Sequence, residues 1–207
     1  MTASGDRPTD AQLLRDYERG NVQAFDELVA RYKGALHGYL RSMTGNTADA
    51  EDIFQETWLR VIRNSRSFRS GAFNAWLWCI ARNLLIDRLR RLRPTVSLND
   101  ESGEGSALGD SLAATAPDPA TQMATEDLAR LIAAAVAELP PDLRDMFLLR
   151  TQTGLSFAEI AKMRKVPLNT ALGRMHYAMQ HMRRKLGPVW ATRQAENDLD
   201  GNKGKKP

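Results

Sequence analysis

Residues 48–64 read ADAEDIFQETWLRVIRN, and the fold class turns on this stretch. Phe54, Trp58, Val61 and Ile62 recur at i, i+4, i+7 and i+8, so the spacing predicts a helix with one apolar stripe for a core. Asp52, Gln55, Glu56 and Leu59 recur at i, i+3, i+4 and i+7 on the opposite face. Two carboxylates one turn apart repel each other, and a leucine among them is left in water. An acidic face with an apolar centre suits docking onto a basic partner surface. A merely solvated face is the plainer alternative, and spacing alone favours it. With no histidine close by in sequence, a metal site is less favoured still.

Outward from this helix the chain reads as all-α. Helices are expected near 10–19, 22–43, 48–64 and 72–92, and again near 124–138, 141–152, 156–164 and 168–186. Gly20-Asn21, Gly45-Asn46, Pro140-Pro141, Gly154 and Pro167 supply the breaks. Residues 94–127 carry seven acids and no basic residue, with much Ser, Gly, Ala, Thr and Pro. Such a composition cannot bury enough apolar surface to offset its ordering entropy, and reads as a flexible linker. Its 34 residues reach about 110 Å fully stretched and about 30 Å as a coil. The organisation expected is a disordered N-terminus 1–10, a helical domain 11–93, the acidic linker, a second helical domain 128–186 and a disordered tail 187–207.

Length and charge narrow the function. The 207 residues, 43% hydrophobic, leave room for one or two domains. One cysteine, Cys79, excludes a disulfide framework and a cysteine-rich zinc site. The longest uncharged apolar runs, 75–81 and 131–137, fall far short of the roughly 20 residues a membrane span needs. The start, MTASGDRPTD, shows no secretory pattern. A cytoplasmic protein without membrane insertion is therefore expected. Residues 31–93 are net +7, 94–127 net −7 and 128–186 net +6. Two basic blocks around an acidic one suggest two nucleic-acid-facing modules, against the alternative of ordinary solvated arginines.

Two further stretches carry chemistry. In residues 67–93, SFRSGAFNAWLWCIARNLLIDRLRRLR, a core stripe of Leu77, Ile80, Ala81 and Leu84 leaves Trp78 and Arg82 together on another side. Arg88, Arg90, Arg91 and Arg93 crowd its end, near the negative pole of the helix dipole. Aromatics beside arginines suit single-stranded nucleic acid, with π faces for bases and cations for phosphates. Phe73 and Trp76, taken singly, read as core.

In residues 154–186, Ser156 and Glu159 form a capping box. Ala158 and Ala161 are small enough for another helix to cross closely, and a turn at Pro167 leads into a longer helix. Leu172, Met175, Met179, Met182 and Leu186 read as its buried stripe, with Thr170, Gly173, Arg174 and Tyr177 outward. This is a helix-turn-helix pattern, whose second helix meets the major groove.

On these residues the chain resembles a bacterial RNA polymerase sigma factor of the sigma-70 family, extracytoplasmic-function (ECF) group. GNVQAFDELVARYKGAL resembles the family's opening helices. DAEDIFQETWLRVIR followed by FNAWLWCIARNLLIDRLRR resembles its region two, and AELPPDLRDMFLLRTQTGLSFAEIAKM the start of its region four. Together, in this order and around this linker, they are specific.

The resemblance implies a transcription initiation factor, not an enzyme, with core RNA polymerase and promoter DNA as partners and no cofactor, metal or small-molecule substrate. An anti-sigma factor is a further partner that the family suggests. Asp52, Gln55, Glu56 and Leu59 become the polymerase-docking face. Residues 65–74 become the loop that captures a flipped minus-10 base, and Phe68, Asn74, Trp78, Arg82, Asn83, Arg88 and Arg91 the minus-10 contacts. Asn169, Thr170, Gly173, Arg174 and Tyr177 become the minus-35 contacts. The acidic linker could mimic RNA charge in a basic channel, or simply keep the segment soluble.

Region four departs from the family in four places. Lys165 stands where the turn usually has glycine, and Arg164 where an apolar residue is common. Leu172 and Tyr177 occupy positions that are often basic. The competing reading is a polymerase-independent helix-turn-helix transcriptional regulator; the acidic face of 48–64 joined to the Trp/Arg helix is what such a regulator does not need. An enzyme is disfavoured because His37, His176 and His181 are scattered and no nucleophile–base pair appears.

Overall fold

The computed structural model describes residues 7–68, 72–92 and 119–203, with no side-chain account of 119–125 or 189–203. The described residues form eight helices: α1 Asp10–Glu18, α2 Val22–Thr44, α3 Thr47–Asn64, α4 Phe73–Leu92, α5 Pro119–Ala137, α6 Pro141–Thr153, α7 Phe157–Arg164 and α8 Leu168–Lys203. A single 3-10 turn, Ser65–Ser67, follows α3. Among the described residues there is no strand.

Local chemistry sets the breaks. Thr9 and Gln12 cap α1 reciprocally, Asn21 caps α2, and the Asn46 side chain accepts from the Ala48 and Asp49 amides to open α3. Gly45 ends α2 at φ 67° and Gly154 ends α6 at φ 68°, both left-handed positions that suit glycine. Lys165 ends α7 in the same conformation, at φ 54°, ψ 45°. Its amide still reaches the Ala161 and Lys162 carbonyls, so the turn closes without the usual glycine.

Helices α1–α4 pack around Leu28, Leu36, Leu40, Val61, Leu77 and Leu85; α5–α8 pack around Leu139, Met146, Leu149, Ile160 and Ala178. The two groups also touch: α2 packs on α5 and α6, and α4 on α7.

Several sequence expectations are corrected here. The buried face of α3 is Ala50, Ile53, Thr57, Trp58 and Val61, whereas Ile62 is exposed; the true stripe is rotated toward Ile53. On α8 Met182 is buried as expected, but Ala171 and Ala178 are buried beside it, Met175, Met179 and Leu186 are half-buried, and Leu172 is exposed. Ala161 is buried as a close-approach residue but Ala158 is exposed. Helix α5 starts at Pro119, inside the expected linker, and α8 runs through Pro188 to Lys203. Strong helix formers at 191–196 (ATRQAE) sustain the helix beyond the Gly187-Pro188 signal. The rest of the expected linker, 93–118, and residues 69–71, lie outside the described residues.

Candidate functional site

The α3 face presents Asp52, Gln55 and Leu59 to solvent, with Glu56 half-buried beside them. Glu56 accepts from Arg60 Nε at 3.0 Å, and Gln55 Nε2 donates to Glu51 at 3.3 Å. Leu59 is 44% exposed, an apolar centre in a charged frame. Between α3 and α4 lies a shallow groove lined by Asp52, Glu56, Arg60, Leu84, Asp87 and Arg91. Glu51 is also paired to His37 across α2 at 2.7 Å, and that bond holds its carboxyl below the usual range.

Along α4 the expected nucleic-acid residues separate into classes. Phe68 is half-buried, its ring tilted against Trp76 at 5.0 Å and edge-on to Phe73, so the three rings form a small aromatic cluster. Asn83, Arg90 and Arg91 are exposed. The Arg88 guanidinium is held by Asp49 of α3, with Nε at 3.0 Å.

Trp78 is a correction. It has no exposed surface and packs edge-to-face under Tyr39 at 5.3 Å. The helix turns it into the core between α2 and α4, so it offers no face to a base.

Asn74 and Arg82 point elsewhere again. Asn74 Nδ2 donates to the Thr153 carbonyl at the end of α6, at 2.6 Å. Arg82 pairs with Asp145 of α6 at 3.0 Å. Asp145 is 3% exposed and also accepts from the Tyr39 hydroxyl at 2.8 Å, while Arg164 Nε lies 3.1 Å away. Burial lowers the Arg164 guanidinium's pKa, partly offset by Asp145. Burial, reinforced by Asp145, pushes the Tyr39 hydroxyl well up. Sequence reasoning missed this cluster; Arg164 at an ordinarily apolar position was its one signal.

On α8, Asn169, Thr170 and Tyr177 are exposed and Gly173 and Arg174 half-buried, together at the helix's N-terminal end. Arg174 pairs with Asp142 of α6 at 2.7 Å. Ser156 and Glu159 cap α7, and those bonds lower the Glu159 carboxyl below its usual range.

Comparison with known proteins decides what this architecture is. Residues 28–95 match sigma-70 region 2 and residues 129–182 match sigma-70 region 4. The ECF RNA polymerase sigma factor SigW of Bacillus subtilis is 30% identical over 176 residues, covering 84% of this chain and 94% of that protein. The chain belongs to the ECF RNA polymerase sigma factors of the sigma-70 family.

Other relatives agree. The ECF sigma-E factor of Escherichia coli is 31% identical over 186 residues, covering 87% of this chain and 96% of that protein. Among solved structures, CnrH in complex with the cytosolic domain of CnrY has a TM-score of 0.59 at 25% identity, covering 87% of this chain and 99% of that one. The sigma factor RpoE in complex with the anti-sigma factor NepR, from Bartonella quintana, shares the fold at TM-score 0.59 and 20% identity, over 79% of this chain and 96% of that one. A sigma factor is a non-enzymatic initiation factor that brings core RNA polymerase to promoters, and this chain is one. Among the described residues, no helix is long and apolar enough to cross a membrane.

Proposed function

We propose a division of labour among the faces of this sigma factor. Asp52, Gln55, Glu56 and Leu59 dock region two on core RNA polymerase. The observation that carries this is the exposed Leu59 framed by carboxylates on one helix face, the composition that suits a basic partner surface with an apolar centre. Residues 65–74, with Phe68, receive a flipped minus-10 base, and Asn74, Arg82, Asn83, Arg88 and Arg91 hold the melted strand. Unpairing a base costs a few kcal/mol, and stacking on an aromatic returns about 1–3 kcal/mol.

Asn169, Thr170, Gly173, Arg174 and Tyr177, at the start of α8, enter the major groove of the minus-35 element. With Leu172 and Tyr177 at positions often basic, this surface relies more on Arg174 for charge. The acidic linker spans the two elements, which lie about 70 Å apart at two helical turns. The protein works in the cytoplasm, where its polymerase is, and an anti-sigma factor is its natural regulator; two structural neighbours are such complexes or bound to a cytosolic partner domain.

In vitro transcription tests the division. Core polymerase with this chain, supplied with fragmented genomic DNA of the source organism, is expected to start transcripts at sites sharing two elements at fixed spacing. Arg91→Ala is expected to weaken opening and Arg174→Ala the closed complex. Transcripts without a shared upstream element would remove the minus-35 assignment.

A further inference from the structure

The first turns of α8, LNTALGRMHY over 168–177, hold one arginine and no lysine. That arginine, Arg174, gives its Nη2 to Asp142 of α6 at 2.7 Å. Two leucines one turn apart on the same stretch, Leu168 and Leu172, stand 47% and 42% exposed. The core side of α8 is made instead by Ala171, Ala178 and Met182. A single exposed leucine is ordinary. Two at i and i+4, at the N-terminal end of the second helix of a helix-turn-helix, form an apolar strip where that motif meets base edges.

Gly173 is a second, independent observation. It lies inside a helix, where glycine costs stability relative to alanine. A Cβ there would meet nothing within 4 Å, so packing within the chain does not demand a glycine. Its bare Cα leaves clearance beside Leu172 for a group approaching from outside. Asn169 and Thr170, exposed between the two leucines, bring polar atoms to the same surface.

Each base pair shows the major groove a distinct pattern. Guanine offers the N7 and O6 acceptors and takes paired donors from arginine or lysine. Thymine offers its C5 methyl, which takes apolar contact, and its partner adenine takes the paired donor and acceptor of a carboxamide. Leu168 and Leu172 supply the apolar contact and Asn169 the carboxamide. Beyond Arg174, these ten residues hold no arginine or lysine for a guanine edge.

We propose that Leu168 and Leu172 are specificity-determining residues of region four: they contact thymine methyl groups and select A·T pairs in the minus-35 element. One turn separates them by about 6 Å along the helix axis. That rise matches about two base-pair steps of roughly 3.4 Å, so the two leucines read thymines within two base pairs of each other. The proposal rests on the start of α8 entering the minus-35 groove.

The test uses holoenzyme, core RNA polymerase with the full chain, and a duplex library randomised over both promoter elements. The selected upstream element is expected to carry thymine at two or more positions. Each thymine is then replaced by deoxyuridine, which deletes the methyl group and nothing else. Wild-type holoenzyme is expected to lose about fourfold in affinity at two of these positions, the effect of one methyl group returned to water. Leu172→Ala is expected to bind the thymine duplex about fourfold more weakly and to be indifferent to uracil at one of the two. Leu168→Ala is expected to do the same at the other. Both leucines are exposed, so neither substitution empties a core position. Leu172→Arg is expected to move the selection toward guanine at its position.

Wild-type indifference to uracil would overturn the proposal. So would a loss that persists unchanged in both alanine variants, because the methyl groups would then act through duplex shape. An element that is selected, weakened by Arg174→Ala and silent to uracil would remove the methyl reading and leave the minus-35 role of region four standing. Selection of no upstream element would overturn that role and the proposal with it.

Discussion

Arg82 of α4 and Asp145 of α6, 63 positions apart in sequence, meet in an ion pair at 3.0 Å across the seam between region two and region four. Both groups are largely withdrawn from water, with 14% and 4% of their side chains exposed. Burying charges costs several kcal/mol per ion, and the pair persists because Asp145 also has Tyr39 and Arg164 beside it.

Arg164 is therefore expected to be a stability residue. Its side chain is 2% exposed and lies between Asp142 and Asp145. Arg164→Ala leaves Asp145 short of a partner and opens a cavity, and should cost about 3 kcal/mol in urea unfolding. Arg164→Met fills the volume and should cost less than half as much. A loss under about 1 kcal/mol for the alanine variant would contradict this account.

The turn of the helix-turn-helix stores strain. Lys165 holds φ 54° with a side chain that disfavours it. Lys165→Gly relieves that cost against glycine's greater freedom when unfolded, for a net gain of about 0.5–1 kcal/mol. The melting temperature is expected to rise by a few degrees; a fall would mean the side chain makes a contact that outweighs the strain.

Acid should weaken region four through Glu159. Its folded-state pKa is lowered by the Ser156 hydroxyl and amide. A depressed carboxyl contributes stability that is fully present above its ordinary value, 4.5, and is lost as pH falls through the lower folded one. Glu159→Gln keeps the cap without the titration, so its acid limb should be flatter than wild type. Ser156→Ala removes the cap and should cost about 1 kcal/mol at neutral pH. Parallel acid limbs for wild type and Glu159→Gln would place the effect elsewhere.

Arg174→Ala should weaken binding of polymerase holoenzyme to minus-35 duplex DNA about uniformly across sequences. The slope of log affinity against log salt should fall by about one, the loss of one phosphate contact. Asp142, its partner within region four, should show the opposite sign: Asp142→Asn frees Arg174 and is expected to raise affinity slightly. An unchanged salt slope for Arg174→Ala would move the contact off this residue.

The helices were legible because their ends are written in local chemistry. Asn46 before α3, Gly45 and Gly154 after α2 and α6, and the Ser156–Glu159 pair each fix a boundary with a side chain or a left-handed turn. Helix faces were legible to within one position. Phe54 and Ile62 fit the period as well as Ile53 and Thr57 do, and only the position of α2 and α4 selects between them. Trp78 shows the same limit: an aromatic beside an arginine reads alike whether it faces a base or Tyr39. The Asp145 cluster was hidden because its members come from α2, α4, α6 and α7, with no spacing to join them; the oddity of Arg164 was visible, its partners were not.

The docking face on α3 is the centre of the functional account. The measurement that tests it most directly is the affinity of the purified chain for core RNA polymerase, wild type beside Glu56→Lys. Tight binding by the wild type, weakened at least tenfold by the charge reversal, about 1.4 kcal/mol or more, is the expected result. Equal affinity of the two chains would contradict the assignment of Asp52, Gln55, Glu56 and Leu59 as the docking face.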